Sequence, residues 1–448
     1  MTLKPLYPIQ IMKKTLTLPI KRMMFTILLF CLCATHTGAE TILLKGATIH
    51  TITRGNLDQG DVLIRDGKIA RVEESIDTVA DRIVNLTGKH LYPGMIATTT
   101  TLGLLEINAV RATLDTHEVG QWTPEVLSWR AVNPESELIP VARANGITHA
   151  QPIPLGGIVS GQSGVIQLSG WTVEDLMVKP TVGLHVWWPS MSLNDRPKEL
   201  SNNPSSWKSP KDQAKQRKQR MREITEFFES AKAYVSHREQ NKDAHTIPNW
   251  ASTTSWVKGK TPLFIHANEK RQIASAVQWA DENGYDMILV GGRDAWRVAD
   301  KLSEHRIPVI YEHTFTLPNR GEDSYDAYFT APSILAEAGV KVIFSEGTSR
   351  FAASSIRNLP HSAAQAVAFG MHKEEALKGL TLYPAQVLGL GNRLGSIESG
   401  KEASLIALTG ELLDIRSQVS EVWIKGERVS LESRHTRLYN KYRNRPNP

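Results

Sequence analysis

Three imidazoles stand near the ends of short apolar runs: His185 in GLHVWWP, His266 in PLFIHANEK and His313 in IPVIYEH. Glu346 closes a fourth such run, VKVIFSEG. A histidine at a strand end can ligate a metal, carry a proton or simply pack as a neutral ring. His185 lies between Leu184 and the pair Trp187-Trp188, which favours packing; His266 is balanced between a functional role and a hydrogen bond inside the fold. Glu346 reads as a proton acceptor or as an ordinary paired carboxylate. A second chemistry is suggested by LGGIVSGQSGVIQLSGW, residues 155–171. There Gly161 and Ser163 could turn backbone N–H groups toward a ligand's anionic group. No lysine follows as a phosphate loop requires, so a tight set of turns is the expectation. Arg111, with Arg130 and Arg143 beyond it, could pair with a ligand carboxylate.

The elements that must position these groups follow from periodicity. Residues 40–92 alternate apolar and polar residues between Gly and Asp turns, with Asp66-Gly67 as a hairpin signal. Residues 386–431 show the same texture, with Lys425-Gly426 as a turn. Between them, residues 93–385 alternate short apolar strands with helical patterns, which implies a parallel sheet covered by helices. Such a layout predicts α/β architecture, with a (β/α)8 TIM-type barrel whose site lies at the strands' C-terminal ends. A small β-sandwich built from both chain ends accompanies it. Residues 190–260 are charged and polar. Ile224, Phe227, Phe228, Ala231 and Tyr234 there share a helical face, predicting a helical insertion over the barrel mouth. Residues 432–448 form a basic tail expected to be loosely ordered.

The 448 residues suffice for one large domain with a smaller companion. The formal charge is +6. Five of those charges are Lys4, Lys13, Lys14, Lys21 and Arg22, in a stretch without acids. The basic balance is therefore local and excludes nothing-but-charge arguments for a nucleic-acid partner. Residues 1–39 read as a secretory signal peptide: a basic region, the apolar run MMFTILLFCLCA, then Thr37-Gly38-Ala39. Both cysteines, Cys31 and Cys33, fall inside it, so no thiolate metal site is expected beyond it. The expected location is outside the cytoplasm, in a bacterial periplasm, with membrane contact only through the leader.

The run YPGMIATTTTLGLLEI, residues 92–107, resembles the first barrel strand of the amidohydrolase superfamily. The closing pattern ALKGLTLYPAQVLGLGNRLGSIESGKEASLIAL, residues 376–408, resembles that superfamily's C-terminal signature, in its imidazolonepropionase-like branch. The resemblance implies hydrolysis of C–N bonds other than peptide bonds, assisted by zinc or another divalent metal. Laid on the family pattern, Thr99 and Thr101 take the positions of a His-x-His metal pair, and Gly291 that of the sixth-strand histidine. Neither a hydroxyl nor a glycine serves zinc well. A metal would then need a rearranged set such as His185, His266 and His313. Two readings stay open: an amidohydrolase acting on a small amide or cyclic amide through a degraded or rearranged metal site, or a catalytically inactive binding or scaffold protein on the same fold. Either implies a small-molecule ligand; a homo-oligomer is left open.

Overall fold

The computed structural model describes residues 40–446 except 202 and 350. The expected signal peptide lies outside the described residues. Five strands come from the N-terminal side: β1 (Thr41–His50), β2 (Asn56–Arg65), β3 (Lys68–Glu73), β4 (Arg82–Asn85) and β5 (His90–Pro93). They join β14 (Leu405–Leu408), β15 (Val419–Ile424) and β16 (Glu427–Arg428) in one eight-stranded sheet, ordered β16-β15-β14-β5-β1-β2-β3 with β4 on β1. Both chain ends thus build the small sheet, as the alternation predicts, although hydrogen bonding makes it one continuous sheet. Two turns tie the ends together. Asp66 and Gly67 have φ of 53° and 70°, and Lys425 and Gly426 have φ of 50° and 80°. Paired positive φ values suit the tight turns that match strand twist. The turns touch: a Cβ on Gly67 would lie 2.5 Å from the Lys425 carbonyl oxygen.

The second sheet is the barrel. Its strands are β6 (Met95–Thr100), β7 (Ile147–Pro152), β8 (Val159–Gln167), β9 (Met177–Trp187), β10 (Leu263–Ala267), β11 (Met287–Gly291), β12 (Val309–Tyr311) and β13 (Val342–Phe344). They are ordered sequentially around it. Seven run parallel, and β8 runs antiparallel to both β7 and β9. This corrects the set of turns expected for residues 155–171. Gly and Ser disguised an alternating strand in which Val159, Ser163 and Val165 are buried. Ile96, Val165, Phe264, Ile288, Ile310 and Ile343 fill the lower interior, and Ala385, Leu388 and Leu394 plug it from below. The signature over residues 376–408 is therefore the barrel's floor and the start of the small sheet.

Helices cover the barrel: α1 (Leu138–Ala144), α2 (Pro210–Gln240), α3 (Lys270–Asn283), α4 (Ala299–Glu304), α5 (Ala327–Glu337), α6 (Leu359–Ala368), α7 (Lys373–Leu380) and α8 (Leu382–Val387). The insertion is mostly α2, capped by Ser209 with Pro210 in its first turn. It buries Ile224, Phe227, Phe228, Ala231 and Val235; Tyr234 is only half-buried and its hydroxyl accepts from the Ile247 N–H. Instead of lying over the mouth, α2 descends the flank. Arg217 donates to the Met191 carbonyl beyond β9, while Phe228 meets Tyr285 just before β11. The tail is more ordered than expected: α9 (Arg434–Arg443) is capped by Ser433 and tied by Arg437 to Glu137. Among the described residues no helix is long and apolar enough to cross a membrane.

Phe228 is the anchor of α2, buried against Trp256, Trp279 and Tyr285 with ring centroids 4.7–5.2 Å away. Phe228→Ala should lower unfolding free energy by about 3–5 kcal/mol. Urea titration followed by circular dichroism measures it; a loss below about 1 kcal/mol would mean that α2 is not docked this way.

Candidate functional site at the barrel mouth

Above the apolar floor each strand but one turns a polar side chain inward. They are Thr99 (β6), Gln151 (β7), Ser163 (β8), His185 (β9), His266 (β10), Glu312 just past β12 and Ser345 just past β13. At β11 the chain offers only Gly291 and Gly292. The alternation of side chains along strands explains the set: Phe264 and His266, Ile310 and Glu312, Ile343 and Ser345 are each two residues apart.

These groups satisfy one another. The Thr99 backbone N–H donates to Gln151 Oε1 (3.2 Å), and Gln151 Nε2 donates to Ser163 Oγ (2.9 Å). Ser163 Oγ lies 2.8 Å from His185 Nε2, and His185 Nδ1 lies 2.9 Å from His266 Nε2. His266 also stacks on Trp187, with ring centroids 3.8 Å apart. On the other side of the barrel, the Thr99 hydroxyl donates to Glu312 Oε1 (3.0 Å) and lies 2.8 Å from Ser345 Oγ. Ser345 in turn donates to the Thr98 carbonyl (2.9 Å). No ladder joins β13 to β6, so these side-chain bonds fasten the barrel's open seam. Thr99 carries φ of +43°, a strained value for a β-branched residue.

Burial sets the electrostatics. His266 is held down to about 3 by desolvation, and His185 well below the usual imidazole range by burial and then by His266. Both rings are neutral at physiological pH. Glu312 is pushed up to about 7 by burial, against the opposing Thr99 hydrogen bond. A half-buried carboxyl poised there can hold or release a proton near neutrality.

The sequence candidates divide accordingly. His185, His266 and Ser163 come together in one chain. Gly161, in β8, has its hydrogen against Val126, where a Cβ would sit 2.8 Å from Val126 Cβ; it offers nothing to the layer. His313 stands apart, its Nε2 2.7 Å from Asn268 Oδ1, and is lowered to about 4 by burial and then Arg293. Glu346 faces away from the layer and accepts from Ser362 of α6 (2.6 Å); Ser345 takes the inward place. Burial raises Glu346 too. Arg111 is exposed in the loop after β6, and Arg143 is spent on the Leu168 and Ser430 carbonyls. The Thr101 hydroxyl is buried without a hydrogen-bond partner among the described residues. Gln151, Glu312 and Ser345 were missed; for Glu312 and Ser345 the signal was their place, two residues beyond the buried Ile310 and Ile343.

An eight-stranded α/β barrel with its polar groups at the C-terminal strand ends, beside a sheet drawn from both chain ends, defines the TIM-type barrel proteins that carry a composite sheet domain. The sequence model of the Amidohydrolase family matches residues 285–429. The solved structure of an amidohydrolase from Thermotoga maritima MSB8 superposes with a TM-score of 0.75 at 29% identity, over 87% of this chain and 99% of that one. The amidohydrolase tasK of Hapsidospora irregularis is 22% identical over 82% of this chain, and the match spans only 39% of that relative's length. An imidazolonepropionase of Erwinia tasmaniensis is 58% identical over 38 residues, 8% of this chain and 9% of the relative. Over its barrel and composite sheet the chain is amidohydrolase-related.

The superfamily implies a divalent metal, and the donor set tests that. A catalytic zinc takes three or more nitrogen, sulfur or carboxylate ligands. Here His185 and His266 direct ring nitrogens at each other, Thr99 is engaged by Glu312 and Ser345, and Gly291 contributes no donor atom from a side chain. Among the described residues no group of three or more His, Cys, Asp or Glu side chains is placed to share a cation. These residues do not fit the family's metal centre.

Glu312 has a pH signature. Unfolded, it releases its proton near the ordinary 4.5; folded, near 7. Between those values the folded state binds more protons, so its contribution to stability falls as pH rises through that window. Glu312→Gln should therefore gain about 2 kcal/mol over the parent at pH 8 relative to pH 5, less than the full linkage because the carboxyl is partly open. Denaturation at both pH values isolates the effect, since the buried histidines contribute equally to both proteins. A difference that does not change with pH would refute the burial of this carboxyl.

Proposed function

We propose that this protein receives a small amide or cyclic amide at the barrel mouth without a bound catalytic metal, and acts as a binding protein on the amidohydrolase fold. One observation carries the reading: the inward polar side chains bond one another in a neutral layer where a metal-dependent hydrolase would need several free ligands. Thr99 and Thr101 then stand where the family pattern carries a histidine pair. A second reading, hydrolysis of a C–N bond, is favoured by Glu312 alone. A carboxyl that exchanges its proton near pH 7 could serve as general acid and base. Metal-assisted water activation is no part of either reading.

The purified protein should hold under about one-tenth equivalent of zinc, well below a dedicated site. Elemental analysis after purification without chelator tests this, beside hydrolysis of a panel of cyclic amides. Stoichiometric metal, or turnover abolished by chelator and restored by zinc, would defeat the proposal; turnover indifferent to chelator would favour the second reading.

A further inference from the structure

The flank of the barrel carries a concavity to which none of the inward polar side chains contributes. It lies where α2, the loop after β6 and the short helical turn Pro248–Ala251 meet. The cleft holds about 550 Å³, within the range of small-molecule sites. Three aromatic rings line it, Trp122, Phe227 and Trp250, with the carboxylates of Glu223 and Glu226. Phe227 is buried and stacks on Trp122, with ring centroids 4.9 Å apart and planes 20° from parallel. Trp250 leans on the same ring at 5.1 Å. Both indoles are half-buried. Two hydrogen bonds fix the frame: Asn249 Nδ2 donates to the Trp122 carbonyl (3.5 Å), and Arg220 donates to Gln121 Oε1 (3.3 Å). Glu223 and Glu226 are three residues apart and share a face of α2. Glu223 accepts from Gln219 (3.1 Å) and has Arg220 Nε 3.9 Å away. The exposed Glu226 carboxylate has neither hydrogen bond nor ion pair among the described residues. No lysine or arginine lines the cleft.

Those walls select a ligand by elimination. An anion is repelled by the two carboxylates. A sugar needs partners for many hydroxyls, and the neutral polar side chains here are already engaged: Ser230 Oγ donates to the Glu226 carbonyl (2.7 Å), and Asn249 to Trp122. A metal ion or a primary ammonium would give up strongly held water to aromatic walls that cannot replace it. An alkylated ammonium group is weakly hydrated. Its methyl groups pack on the rings while its charge is attracted by the π-systems and the carboxylates.

We infer that this cleft binds a small quaternary ammonium compound, its trialkylammonium head against Trp122 and Trp250 and its charge balanced by Glu226. Phe227 is a positioning residue that holds the two indoles. The site is separate from the barrel mouth, and neither its occupancy nor its chemistry depends on the function proposed above.

Isothermal titration of the intact protein with choline tests this, beside choline's uncharged isostere, in which a tert-butyl group replaces trimethylammonium. Choline is expected to bind, and the isostere to bind about tenfold more weakly, because shape and apolar area are matched and only the charge differs. Trp250→Leu should weaken choline binding about tenfold, with the melting temperature measured alongside. Glu226→Gln, an exposed substitution that leaves the fold alone, should weaken it about threefold. Choline that fails to bind at millimolar concentration, or an isostere that binds equally well, would overturn the inference. So would choline affinity unchanged in both variants, which would place the cation elsewhere on the protein.

Discussion

The open seam between β13 and β6 is the constraint on which the barrel depends. Every other neighbouring pair in the barrel sheet is joined by backbone hydrogen bonds; this one is not. An unpaired edge inside a closed barrel would strand backbone groups away from water. Ser345 and Thr99 answer that demand. Ser345 reaches the Thr98 carbonyl across the seam, and Thr99, at a strained φ of +43°, places its hydroxyl between Ser345 and Glu312. Strain of that kind persists only where surrounding contacts over-determine it. The same residue that closes the barrel therefore also holds the mouth carboxyl and, through its backbone N–H, starts the chain to His266.

A second consequence is electrical. The interior layer is built from groups that are neutral, or nearly so, at physiological pH. His185 and His266 are held unprotonated by burial, and Glu312 is balanced between its two forms. Buried polar networks stiffen a fold when every member is satisfied and weaken it sharply when one is removed. Gln151 bonds through both its amide oxygen and its amide nitrogen, and Ser163 links Gln151 to His185, which orients the layer.

Much of this architecture was legible in the residues. Asp66-Gly67 and Lys425-Gly426 announced tight turns because few sequences tolerate two positive φ values in succession. The alternation of strand and helix patterns located the barrel, and the strand-end rule singled out His185 and His266. What escaped did so for physical reasons. Strand β8 was hidden because its glycines mimic turn punctuation, whereas Gly161 is small to admit Val126. Glu346 looked like the mouth carboxylate, but side-chain alternation gives the inward position to Ser345, and a one-residue shift reverses every face. Glu312 was overlooked beside His313 because nothing local shows which of two adjacent polar residues turns inward. The α2 face was right to within one residue: Val235, not Tyr234, continues the four-residue spacing from Ala231.

Full charges are kept to the rim, and their placement completes the logic of the layer. Asp294, buried just beyond β11, accepts from the Lys270 N–H and from both terminal nitrogens of Arg320. Those bonds hold its carboxyl below the ordinary carboxylate range despite burial. Arg297 pairs with Asp323 in the same network. Since a buried carboxylate is tolerated only when paired and hydrogen-bonded, this cluster must stay closed, and it pins residues 320–323 beside the end of β11. Arg293 faces the same region, and its charge helps lower His313. The cations therefore surround β11, the strand that sends no side chain into the mouth, while Thr99, Gln151, Ser163, His185 and His266 remain uncharged. A ligand entering there exchanges water for neutral donors and one titrating carboxyl. That combination discriminates by hydrogen-bond direction more than by charge, because a mismatched donor or acceptor in so dry a layer leaves a buried partner unpaired.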